Sequence, residues 1–214
     1  MIKQNESKSE MNKERYRMAF STGGLFHRES LTLAILFVEL NDWELVREKV
    51  LSENILQSRT LNTSKRQCRE IISRLITLYP RELDLLISGS TQEQKYLLWL
   101  TVCRHYRFIA EFAEEVLRER YIGLKHDLHY EEFDFFFNKK SEWHPELEEI
   151  QPTTRSKLRQ VLFKILREAE LLTVKNTINA AMLSQQLLAA IPRQLRKDVF
   201  VFPVFESDLK WSAQ

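Results

Sequence analysis

Apolar side chains recur at three- and four-residue spacing along most of the chain, which predicts helices joined by short connections. The helical pattern runs from Leu25 to about Leu40. Asn41 or Asp42 then offers an N-cap to a second helix, "WELVREKVLSEN", with Trp43, Val46, Val50 and Leu51 on one face, so an antiparallel hairpin is expected. A polar link, "QSRTLN", leads to "TSKRQCREIISRLITLY", closed by Pro80, and to "RELDLLIS", ended by Gly89. "TQEQ", from Thr91, reads as a capping box opening a helical run to Gly123 with a break near His105. Two short helices around a loop at 138–141 follow. Pro152 with Thr153 or Thr154 then starts the clearest amphipathic helix, with Leu158, Val161, Leu162, Ile165, Leu166 and Ala169 in one seam. "NAAMLSQQLLAAI" predicts another helix. Two stretches depart from this period: Tyr16, Met18 and Phe20 alternate as a short strand would, and "VFVFPVF", residues 199–205, reads as a strand that Pro203 places at an edge.

The predicted fold is therefore mostly α, a compact helical bundle-like protein, divisible into an N-terminal lobe over 15–123 and a C-terminal lobe over 124–214. Composition agrees, with only four Gly and five Pro in 214 residues. Residues 1–14 are polar and mixed in charge, without the apolar stretch of a signal peptide, and are expected to be a flexible tail. The densest apolar run, residues 31–40, is half the roughly 20 residues a membrane span needs, so a core helix and no membrane contact are expected. Cys68 and Cys103 lie singly inside helical patterns, which argues against a disulfide framework or zinc ribbon and fits a cytoplasmic protein.

A net charge of +2 conceals blocks. Residues 55–81 hold six bases against Glu70 alone, residues 108–150 twelve acids against five bases, and residues 151–200 nine bases against three acids. Such segregation points to a basic surface with a defined location, unless the basic and acidic helices pair inside the fold. Placed on a helical wheel, Cys68, Ile71, Ile72, Leu75, Ile76 and Leu78 form a buried arc, and Arg66, Arg69 and Ser73 share the opposite one. Arg159, Phe163 and Arg167 are spaced four apart on the face away from the apolar seam, with Lys157 and Lys164 beside them; Phe163 is positioned either to meet a nucleobase or to bury against a neighbouring helix. Candidate duplex-DNA contacts are Arg59, Lys65, Arg66 and Arg69 in the first block and Arg155, Lys157, Arg159 and Lys164 in the second. The outline from residue 144 onward is also compatible with a winged-helix-like end.

Familiar catalytic patterns are absent. Gly23 and Gly24 lack the Gly-Lys-Ser/Thr of a P-loop, so they read as the turn into the first core helix, whose N–H groups beside His27 and Arg28 could seat one phosphate. His126 and His129, near Asp127, Glu131 and Glu132, find no third cluster to complete a metal site. Cys103 and His105 lie on different helix faces, which disfavours a thiol nucleophile. No enzyme activity, cofactor, metal or small-molecule substrate is expected.

Three separated stretches, "RYRMAFSTGGLFHRESLTLA", "DWELVREKVLSENILQSRTLNTSKRQCREIISRL" and "TTRSKLRQVLFKILREAELL", in that order, closely resemble the BrxA family of BREX (bacteriophage exclusion) defence systems. The resemblance covers about residues 15–204. It implies a non-enzymatic, mostly helical DNA-binding component working with other BREX proteins, with a fold similar to a helical antitermination factor. It supplies no catalytic motif to carry over. The alternative is an assembly adaptor whose acidic, aromatic stretch around residues 133–137 holds a basic partner subunit.

Overall fold

The computed structural model describes residues 15–21, 23–209 and 211, so the expected tail over 1–14 lies outside the described residues. Helix α1 (His27–Leu40) turns at Asn41, whose left-handed backbone (φ 52°) lets its N–H reach the Phe37 carbonyl. The Asp42 carboxylate then caps α2 (Trp43–Ser52) by accepting from Glu44 and Leu45 N–H. The two helices pack side by side, with the Phe37 and Trp43 rings stacked 4.0 Å apart.

Helix α3 (Leu61–Leu75) begins before the predicted Thr63 because the Thr60 hydroxyl accepts from the Thr63 N–H. It stops at Leu75, so Ile76, assigned to the buried arc, is 57% exposed instead. Pro80 opens α4 (Pro80–Ser88). The capping box of α5 (Thr91–His105) lies one residue ahead of "TQEQ": Ser90 and Glu93 exchange side-chain and backbone hydrogen bonds. The chain breaks at Tyr106, as the pattern predicts. It resumes as α6 (Arg107–Phe112), a wide π-helical stretch (Ala113–Arg118) and α7 (Glu119–Ile122).

Helices α8 (Tyr130–Ser141) and α9 (Pro145–Glu148) flank a link at 142–144; the loop expected at 138–141 is the last turn of α8. Helix α10 (Pro152–Glu168) carries the predicted seam, and all six of its named members are buried. Beyond it, α11 (Gln185–Ala190) is much shorter than predicted. Ser184 caps it, while the Ala181 N–H donates to the Pro203 carbonyl and holds the preceding residues away from helical geometry.

Both strand expectations fail. Among the described residues there are two isolated bridge pairs, Asp127 with Thr177 and Leu172 with Ile178, and no strand or wing. Residues 199–201 belong to a 3-10 helix (Arg193–Val201), and the β-branched and aromatic content through Val204 reflects burial among helices: the Val201 carbonyl accepts from the Trp99 indole at 3.0 Å. Periodicity in a run this short does not separate the two cases. The segment around Tyr16 is extended but is held by side chains rather than a ladder. The Tyr16 N–H donates to Glu146 at 2.7 Å and its hydroxyl to Glu111 at 2.5 Å.

That segment completes the core. Phe20 inserts against Tyr106 and Phe108, and Phe108 meets Tyr16, Phe133, Phe136 and Phe137 at ring separations of 5.2–5.8 Å. Each such ring contributes about 1.5–3 kcal/mol by leaving water. Three of the phenylalanines assigned to an adaptor surface, Phe133, Phe136 and Phe137, are therefore core; only Phe135 of that run, 74% exposed, faces outward.

Candidate nucleic-acid interface

The first basic block opens around a groove. Extended residues 15–21 and the turn through Gly23 and Phe26 form one wall, and the outward face of α3 forms the other, enclosing about 440 Å³. Arg17 stands on the first wall and Arg66 and Arg69 on the second, and among the described residues none of the three makes an ion pair. Arg66, Arg69 and Ser73 thus share one side, as the wheel predicts. Lys65 and Arg59 are exposed nearby, on α3 and just before it. Alternation in the first segment puts Tyr16 and Phe20 inside and Arg17 outside, a signal present in the sequence that could have flagged Arg17.

Two members of the charge pattern do other work. Glu70 lines the groove, but its Oε1 accepts from Arg74 Nε at 2.8 Å and from the Tyr106 hydroxyl at 2.5 Å. Arg74, counted in the basic surface by sequence, is 3% exposed and also donates to the Gly24 carbonyl at 2.8 Å. The acid is thereby compensated from within, and the groove keeps its positive balance.

The second block behaves differently. Arg155 and Arg159 converge on one carboxylate, Asp134 of α8, Arg155 through Nε at 3.1 Å and Arg159 through Nη1. Arg155 also reaches the Asn138 side chain at 2.6 Å and lies over the Phe137 ring, and Arg159 lies over Tyr130. Here the pairing of basic and acidic helices inside the fold is what occurs. Phe163 is fully buried against Tyr130, with Arg167 near its ring, so it is a core residue and offers no surface to a base. Lys157 remains exposed, whereas Lys164 donates to the Gly23 carbonyl at 3.2 Å and lies 3.6 Å from Glu168.

Structure also resolves the glycine pair. Gly23 takes φ +106°, where other residues are strained, and a side chain there would strike the Phe26 ring. Gly24 leaves room for the Glu168 carboxylate, which accepts from the Leu25 N–H at 2.6 Å. The anion at this turn is thus the protein's own, and Arg28, exposed in the first turn of α1, stands apart from it.

Behind the groove, His105 Nε2 lies 3.4 Å from the Ser73 hydroxyl. Burial, reinforced by the Arg17 and Arg74 cations, pushes its pKa down to about 4. The unfolded state then binds the proton first, so stability falls as pH drops from about 6.5 toward 4. Discounted for its partial exposure, this amounts to about 1–2 kcal/mol. Denaturant melts of His105→Asn should show a flatter pH dependence over that window than the native protein.

Other chemistry finds little support. Burial pushes the Cys68 thiol up to about 11 and the Cys103 thiol well above its usual range, the latter further raised by Glu114 and Asp198, so neither is a ready nucleophile. His129 pairs with Asp127 at 2.7 Å, and among the described residues no three metal-binding side chains converge. No described helix is long and apolar enough to cross a membrane.

The fold has a solved counterpart. A crystal structure of an uncharacterized protein from Magnetospirillum magneticum superposes with a TM-score of 0.75 at 21% identity, covering 88% of this chain and 98% of that one. A BREX protein BrxA of Escherichia coli O9:H4 (strain HS) is 28% identical over 83% of this chain and 84% of its own length. A BREX protein BrxA of Paramagnetospirillum magneticum is 27% identical over 78% and 84%. The BrxA family profile itself matches residues 14–194, from the segment carrying Arg17 to the start of the 3-10 helix after α11, and the chain accordingly belongs to the BrxA family of BREX phage-defence systems.

Proposed function

We propose that this protein is a non-enzymatic, DNA-binding component of its BREX system that acts alongside other BREX proteins. The observation that carries this reading is the set of cations, Arg17, Arg66 and Arg69, that face one groove and make no ion pair among the described residues, with Lys65 exposed on α3. Exposed guanidinium groups form forked hydrogen bonds to phosphate oxygens, and they reach the backbone of any sequence. Arg155 and Arg159, already held by Asp134, serve chiefly to dock α10 on α8.

About four phosphates engaged this way predict a log–log slope of affinity against salt of roughly −3.5. Duplex binding measured by fluorescence anisotropy between about 50 and 200 mM salt tests it; an affinity indifferent to salt contradicts the reading. One observation favours the adaptor alternative. Phe135 and Trp143, in the acidic stretch 108–150, are 74% and 81% exposed, and large apolar side chains left in water are common at protein interfaces. Retained partner binding in a protein with no DNA affinity would place that alternative first.

A further inference from the structure

The groove is a hollow of about 440 Å³, which lies in the range of small-ligand pockets, roughly 300–1,000 Å³. Its lining also differs from a simple basic track. Phe26 and Ala19 supply apolar surface, while Asn62 and the Gln67 amide nitrogen supply groups of the kind that read base edges, the Gln67 oxygen and Ser73 hydroxyl being engaged by Ser58 and the Glu70 carbonyl. The arginines stand around these groups.

Local backbone geometry is set to keep the hollow open. Phe26 is held in the left-handed region at φ 56°, a conformation rare for a bulky side chain, and Gly23 at φ +106° leaves the space that the ring occupies. Strain of this type persists only where the surrounding structure enforces it, and it concentrates at ligand clamps. Here Arg74 enforces it from below, holding the Gly24 carbonyl and lying 5.6 Å from the Phe26 ring centre. The same arginine neutralises Glu70, so the one acid in the lining does not repel a phosphate.

We propose that this groove receives a single unpaired nucleotide, its base beside Phe26 and its phosphate between Arg17, Arg66 and Arg69. This rests on the nucleic-acid reading and narrows it: the preferred ligand is DNA with an extruded base or an unpaired end, or a free nucleotide of the same chemistry. Arginine planes and Phe26 provide apolar faces for any base, so the recognition tolerates sequence.

The test compares one blunt duplex with the same duplex carrying a single-nucleotide bulge and with one carrying a short 3′ overhang, in competition-free titrations. A parallel titration uses free deoxyadenosine monophosphate to separate the free nucleotide from a nucleotide within DNA. The bulged or overhanging duplex should bind about tenfold tighter than the blunt one, the lower end of what one stacked base contributes. In Phe26→Leu, and independently in the exposed-site variant Asn62→Ala, the ratio of the two affinities should fall toward one. Saturable binding of the free monophosphate that is lost in the same variants would support the site with the free nucleotide as its source. Equal affinity for all duplexes together with no monophosphate binding overturns the proposal while leaving DNA binding intact. Failure to bind any DNA or nucleotide overturns both readings.

Discussion

Alanine at both Arg66 and Arg69 is expected to weaken duplex binding by about 10- to 100-fold and to make the salt slope shallower by about two. Both side chains are exposed on α3 and, among the described residues, neither has an ion-pair partner, so their removal costs the fold little. Alanine at Arg155 and Arg159 should show the opposite balance. It leaves Asp134 without its two cations and uncovers the Phe137 and Tyr130 rings, so the melting temperature drops while the slope keeps its native value. Anisotropy titrations at several salt concentrations, paired with thermal melts of each variant, separate the two effects. Equal losses of affinity in the two pairs would mean that α10 also meets the phosphate backbone.

Arg104→Ala is expected to be the most damaging single change to stability, at about 3–5 kcal/mol. The Arg104 guanidinium grips Glu82 with two hydrogen bonds of 2.7 Å, reaches Asp198 at 2.7 Å through Nε, and donates to the Thr77 carbonyl. It thereby ties α5 to α4 and to the 3-10 helix near the C-terminus. Glu82 is 0% exposed, so removing the cation strands a carboxylate that water cannot reach. Lost packing of the arginine stem adds to the penalty. Urea denaturation should show the drop directly, and Arg104→Met combined with Glu82→Leu should recover much of it, because apolar replacement of both partners removes the stranded charge. A double variant as unstable as Arg104→Ala would show that packing, not the buried charge, dominates.

Much of this architecture is readable from local rules. Asp42 and Pro80, and the break at Tyr106, act through groups within four residues of themselves, and the α10 seam follows from 3.6-residue periodicity alone. The shared outward side of Arg66, Arg69 and Ser73 is legible for the same reason. Errors came where a distant partner competes with local preference. The helix expected from Asn179 onward gives way because Ala181 donates to Pro203, and residues 199–205 look like a strand because a segment buried among helices carries the same β-branched and aromatic side chains. Alternation in the first segment puts Arg17 outside, but its meaning as part of a cation cluster comes from α3 across the groove.

From the sequence alone came the BrxA resemblance and, because they depend on neighbours along the chain, the helical class, most caps, the α10 seam and the shared outward side of Arg66 and Arg69. Only the tertiary structure decided which cations are available. Arg155 and Arg159 are as basic in sequence as Arg66 and Arg69, but α8 brings Asp134 against the first pair, while Glu70 beside the second is already held by Arg74 and Tyr106. A charge's partner is set by packing between separate helices, and spacing along one helix carries no record of it.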